Sequence, residues 1–167
     1  AQVSDNGAAI VTITAGLSAI NTTLADGTGL VYQGTGDFNG SDTLVVTTND
    51  QGSTGGAAQS DIDTVSITVN AVNDAPVNTV PGGQTVDEDT SLVISGLSVA
   101  DVDAGASDVQ LVFTVASGTL TVSTAVTGGV TAGQLTNNGS ASVTVTAPLS
   151  MVNETLMDSA GFSYQGT

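Results

Sequence analysis

Sixteen acidic side chains, 14 Asp and 2 Glu, carry all the charge of this 167-residue chain, which has no Lys, Arg, His or Cys. Several of the Asp residues gather at turns, in pairs or beside Asn and Glu. The runs are DFNGSD at 37–42, ND at 49–50, DID at 61–63, NAVNDAP at 70–76, DED at 87–89 and DVD at 101–103. Alternate spacing, as in Asp101 and Asp103, directs both side chains to one side of an extended backbone. Like charges held that close repel unless a cation sits between them. Ca²⁺ suits such a cluster, because it takes its ligands from carboxylates, Asn side chains and backbone carbonyls. Zinc and copper need imidazole or thiolate and do not suit it. A single Asp simply favours turns and solvated loops. It is DVDAG, DED and NAVNDAP together that point to calcium.

The same inventory excludes other chemistry. Phosphate binding needs Lys or Arg, so nucleic acid and anionic membranes are repelled by a net charge of −16. Nucleophilic and general-base catalysis find no His, Cys or Lys. Two carboxylates can hydrolyse a glycoside, with Glu88 or Glu154 as the acids to test, but the acids stand at turns and there is no Trp. The aromatic residues are Tyr32, Phe38, Phe113, Phe162 and Tyr164. That is few platforms for stacking a sugar, so carbohydrate binding is the second reading rather than the first. Thr-x-Thr occurs only in short pieces, at 12–14 and 144–146, too little for an ice-binding array. Sequons at Asn21, Asn39, Asn138 and Asn153 are weak evidence for glycans in a chain this rich in Asn, Ser and Thr. Asn21 and Asn153 are expected on an outward helix face.

The elements that must position the carboxylates are strands. Apolar residues make up 40% of the chain, mostly Val, Ile, Leu and Ala alternating with Thr and Ser, which argues against disorder and for sheet. Period-2 alternation predicts strands at 10–14, 30–33, 44–48, 65–69, 92–94, 109–115, 120–122 and 143–146. Residues 7–35 align without a gap to 139–167, with 17 of 29 positions identical, at a period of 132. Within that repeat Leu17, Ile20 and Leu24, like Leu149, Val152 and Leu156, recur at helical spacing. One short helix per repeat is expected, its apolar stripe packed on the end of a sandwich, with Pro148 in its first turn. No apolar run approaches the roughly 20 residues of a membrane span. The chain begins at Ala1 with no Met, so its start is not expected to be native, and a parent protein is expected to continue in both directions.

These motifs resemble the cadherin-like, Ig-like tandem repeats of giant bacterial adhesins. NAVNDAPV is similar to the cadherin linker DVNDNAPV. VDEDTSLVISGLSVADVDAG is similar to a cadherin start, with a Pro-Glu-Asn element, a strand and Asp-Ala-Asp-x-Gly. DFNGSDTLVVTTNDQG resembles the later Leu-Asp-Arg-Glu element with its following strand and Asp-x-Gly. The resemblance implies an all-β, Greek-key Ig/cadherin-like β-sandwich repeat. Residues 1–75 would be the C-terminal part of one repeat and 76–167 the N-terminal part of the next. It implies junction calcium held by Asp37 and Asn39, by Asn73 and Asp74 of the linker, and by Asp101 and Asp103. Glu88 would serve the next junction downstream and Asp50 the previous one. The linker is one residue shorter than the cadherin form, Ala71 replaces an acid and Asn39 a Glu, which implies weaker binding or fewer ions.

The expectation is therefore a non-enzymatic, secreted segment of an adhesin, fibre or filament, extracellular and rigidified by Ca²⁺ at inter-repeat junctions. Its partners would be neighbouring repeats or copies of itself, head to tail. Strands of 109–122 should not pair with strands of 43–69.

Overall fold

A computed structural model describes residues 2–52 and 55–166 of the chain. It is β-rich and divides into two units, Ala1–Ala71 and Val72–Thr167. Every sheet lies within one unit.

The first unit holds β1 (Gln2–Ser4), β2 (Thr12–Thr14), α1 (Leu17–Ala25), β3 (Gly40–Asn49) and β4 (Ser60–Val69). β1 pairs with β2, Val3 opposite Ile13. β3 and β4 form a ten-residue antiparallel hairpin running from Gly40 opposite Val69 to Asn49 opposite Ser60. None of its described residues is buried.

The second unit contains β5 (Val77–Thr79), β6 (Ser91–Val93), β7 (Ser98–Ala100), β8 (Asp108–Thr114), β9 (Thr119–Val122), a 3-10 turn at Ala132–Gln134, β10 (Leu135–Thr136), β11 (Ser142–Pro148), α2 (Leu149–Met157) and β12 (Phe162–Gln165). β5 and β7 pair with each other. Two three-stranded antiparallel sheets, β10-β11-β8 and β6-β12-β9, share one core. The alternation of β11 puts Val143, Val145 and Ala147 inside, where they meet Leu120 and Val122 of β9, Val152 and Leu156 of α2, and Phe162 of β12. The Phe113 and Phe162 rings lie 4.6 Å apart in a tilted contact.

The internal repeat is structural as well as sequential. The pairing of β1 with β2 has the register of β10 with β11, since Val3 opposite Ile13 becomes Leu135 opposite Val145 one period later. Both helices have nine residues and end alike. The Asp26 N–H donates to the Thr23 carbonyl and the Gly29 N–H to the Asp26 carbonyl; Asp158 and Gly161 do the same with Thr155 and Asp158. A Cβ at Gly29 or Gly161 would overlap the carbonyl of Thr23 or Thr155, so glycine is required at both turns.

Three expectations are corrected. Residues 30–33 are irregular, whereas their repeat equivalents form β12. The reason is pairing: β12 lies between β6 and β9, and 30–33 has no such neighbours among the described residues. α1 exists but buries no residue, so its stripe is not core; Leu24 is 47% exposed against 2% for Leu156. Pro148 stands at the N-cap of α2, one position before its first turn. β1, β5, β7 and β10 span two or three residues each, too short to show a period.

Candidate metal centre at the acidic turns

In the second unit the linker lies against the turn that follows β7. The Asp74 N–H donates a short hydrogen bond to the Asp103 carboxylate, and the Asn73 side-chain amide donates to the Asp74 carbonyl at 3.0 Å. Asp101, half-buried, accepts the N–H groups of Asp103 (2.9 Å) and Ala104 (3.1 Å) on the same oxygen. An Asp carboxylate that takes backbone donors two and three residues ahead closes a turn on itself. Residues 101–103 are therefore a bend rather than the extended segment that their alternate spacing implied. The structure thus brings Asp74, Asp101 and Asp103 into one hydrogen-bonded linker-and-turn cluster.

Glu88 stands apart from that cluster in sequence, exposed in the turn before β6, where the Thr90 hydroxyl donates to the Asp87 carbonyl at 2.6 Å. Asp89 holds a left-handed φ of 61° in the same turn.

In the first unit, Asp37 has a φ of 61° in the turn that leads into β3, and Asn39 follows it, exposed. The Phe38 N–H closes the turn on the Thr35 carbonyl at 3.2 Å. Asp50 ties down the β3–β4 loop: its carboxylate accepts the N–H of Gln59 (2.8 Å) and of Gly52 (2.9 Å). Those two donors, Gln59 first, hold its pKa below the usual carboxylate value. Asp26 is lowered in the same way by the Thr28 hydroxyl and then the Thr28 N–H. The Tyr32 hydroxyl donates to Asp42 at 2.9 Å, and that carboxylate pushes the phenol pKa up.

The donor set at the acidic turns consists of oxygens, which fits Ca²⁺ in kind. It is not gathered in advance: among the described residues no three acidic side chains come together as a metal-binding group. Asp101 and Asp103 each spend one oxygen on backbone N–H groups, leaving the carboxylate's other oxygen for a cation.

Two sequon residues turn out to be structural. The Asn153 side chain accepts the Val99 N–H at 2.9 Å and donates to the Val99 carbonyl at 2.8 Å, clamping β7. Asn138 does the same to Val122 of β9, at 2.8 and 2.9 Å. Asn153 is half-buried against β7 rather than outward, which corrects the expectation for it. Amphipathic spacing could not reveal this, because the clamp partners lie 54 and 16 residues away.

A shallow depression of about 430 Å³ is lined by Ser123, Ala125, Val126, Thr127, Glu154, Asp158 and Ala160. It has two acids and no aromatic ring, so it offers a sugar no stacking surface. Among the described residues no helix is long and apolar enough to cross a membrane.

No family model, curated protein or solved structure matches the chain.

Proposed function

We propose that this chain is a structural, non-enzymatic repeat segment of an extracellular adhesin, fibre or filament. Its units are parts of Greek-key, Ig- or cadherin-like sandwich repeats, stiffened by Ca²⁺ at the acidic turns. The observation that carries the reading is the double occurrence of one fold fragment. Residues 2–29 and 134–161 reproduce the same strand register, the same nine-residue helix and the same glycine-closed turn. Repetition of that kind extends a chain, and stability then comes from each unit and its nearest neighbours. Such a protein has neighbouring repeats, or copies of itself, as its natural partners.

Calcium enters through the docking of the linker on the turn after β7. The Asp74 N–H is held on the Asp103 carboxylate and Asp101 closes the same turn, in a chain with no Lys, Arg or His to offset its acids. A cation there relieves repulsion and fixes the linker. Extracellular modules use calcium affinities of roughly 10⁻⁴–10⁻³ M, matched to calcium outside cells. The depression near Glu154 has no aromatic ring in its lining, so it adds nothing to the carbohydrate reading.

Chains lengthened by one and by three further 132-residue periods test the reading. In calcium buffer the maximum dimension from X-ray scattering should grow by a constant increment per period. A dimension that saturates, with the added periods collapsing into one globule, would rule out a rod-building role.

A further inference from the structure

We infer that the first unit carries an acceptor face for a segment patterned like residues 76–138, supplied by the preceding repeat of the same polypeptide. The second unit displays the complex that this face is built to make. There, residues 139–166 are covered by β6, β7, β8 and β9 and become core. In the first unit the equivalent residues are the same or similar and stand open. Val11 is 36% exposed where Val143 is 0%, and Leu30 is 48% exposed where Phe162 is 3%.

Three independent features specify the occupant. The first is strand edges. β11 pairs with β10 on one side and β8 on the other, while among the described residues β2 pairs with β1 alone, so one edge of β2 is open to a β8-type strand. Residues 30–33, irregular here, have the sequence position that β6 and β9 turn into β12. The second is polar clamps. Asn153 and the Thr155 hydroxyl bind the backbones of Val99 and Val130, both within 76–138. Their equivalents one period earlier are Asn21 and Thr23, identical in type. Thr23 already makes the same bond to the carbonyl four residues back, at 3.0 Å, that Thr155 makes to Met151. Backbone clamps recognise a strand of suitable path, and the apolar pockets select its side chains. The third is the α1 stripe, whose exposed Leu24 sits where α2 places a buried residue of the core.

A folded second copy is a poorer occupant, because its own 139–166 already holds its 76–138 segment and exchange would gain nothing. The preceding repeat has no such competitor. The inference rests on the repeat reading and not on calcium, so its test is run in chelator, where a failure leaves the calcium titration and the rod measurement standing.

The test uses thiol labelling, since the chain has no cysteine of its own. Leu24→Cys is made in the natural chain and in a fusion that places a second copy of 76–138 directly ahead of Gly7, which regenerates the Asn-Gly junction found at 138–139. Leu156→Cys in the natural chain is the reference for a packed position. In the natural chain Leu24→Cys should react as an exposed thiol. In the fusion it should slow by more than about tenfold, toward Leu156→Cys, as expected for a site reached only through local opening. Equal rates in chain and fusion would overturn the inference. So would a natural chain in which Leu24→Cys is already as slow as Leu156→Cys, whether as monomer or dimer, since something else then covers the face. Amide exchange of 30–33 in the cysteine-free fusion gives a second reading. Those amides should gain the protection of a paired strand, lose part of it in an Asn21→Ala fusion, and show no change with Asn21→Ala in the natural chain; unprotected amides in the fusion would contradict the assignment.

Discussion

At the residue scale, the side chains that matter most bind backbone rather than each other. Asn153 satisfies both polar groups of Val99, and the Thr155 hydroxyl accepts the N–H of buried Val130 at 2.8 Å. Removing either leaves a buried or half-buried peptide group without its partner, which costs about 1–3 kcal/mol. Asn153→Ala and Thr155→Val should therefore each destabilise the second unit by that amount, read from urea unfolding as the midpoint shift multiplied by the slope m, while Asn21→Ala leaves the midpoint of the natural chain unmoved. Equal effects of Asn21→Ala and Asn153→Ala would mean that the clamps are not the source. Asp50 and Asp26 report on loop closure through pH. Their folded pKa values lie below those of the unfolded chain, so their contribution is complete above the ordinary carboxylate range and is lost as pH falls through the folded values. A carbon-detected titration of Asp50 should give a lower midpoint in the native chain than in urea; coincident midpoints would remove its hydrogen bonds to Gln59 and Gly52. Tyr32 runs the other way: its pKa is raised, and its bond to Asp42 contributes below the ordinary tyrosine range and fades as pH rises through the folded value.

At the scale of elements, α1 and α2 are one sequence pattern with two outcomes. Leu156 packs among Val143, Val145 and Phe162, whereas Leu24 remains about half-exposed. Leu156→Ala should cost about 2–5 kcal/mol, the range for a buried leucine. Leu24→Ala in the natural chain should stay within about 0.5 kcal/mol, as surface changes do. Similar losses at both positions, read by denaturant unfolding, would contradict the burial difference. Helical spacing made both helices legible, and alternation made β3, β4, β8, β9 and β11 legible, because those periods are written in the side chains themselves. Packing was not legible, since whether a stripe becomes core depends on strands that lie elsewhere. For the same reason 30–33 read as a strand and is not one. At the acidic turns the residue types singled out DVDAG, DED and NAVNDAP, and of these the structure joins the Asp74 N–H to the Asp103 carboxylate and closes a turn on Asp101. Their orientation was misread, because Asp101 folds back to cap its own turn, a competition between side chain and backbone that spacing does not reveal. Asn138 and Asn153 carried only a sequon signal, which said nothing of the strands they clamp.

At the scale of the whole molecule, a net charge of −16 with no base sets a standing repulsion that cations relieve. The Asp74 N–H on the Asp103 carboxylate ties the linker to the acidic turn after β7. A ligand that binds only the folded form stabilises it by mass action, so calcium should raise the melting temperature of the second unit and chelator should lower it; superimposable melts would leave the carboxylates without that role. Calorimetric titration of the chelator-stripped chain with Ca²⁺, at low salt, tests the account most directly. It should record calcium uptake that weakens in Asp103→Asn, Asp101→Asn and Asp74→Asn and is unaffected by Asp158→Asn. Absence of uptake, or uptake indifferent to Asp103→Asn, would contradict it.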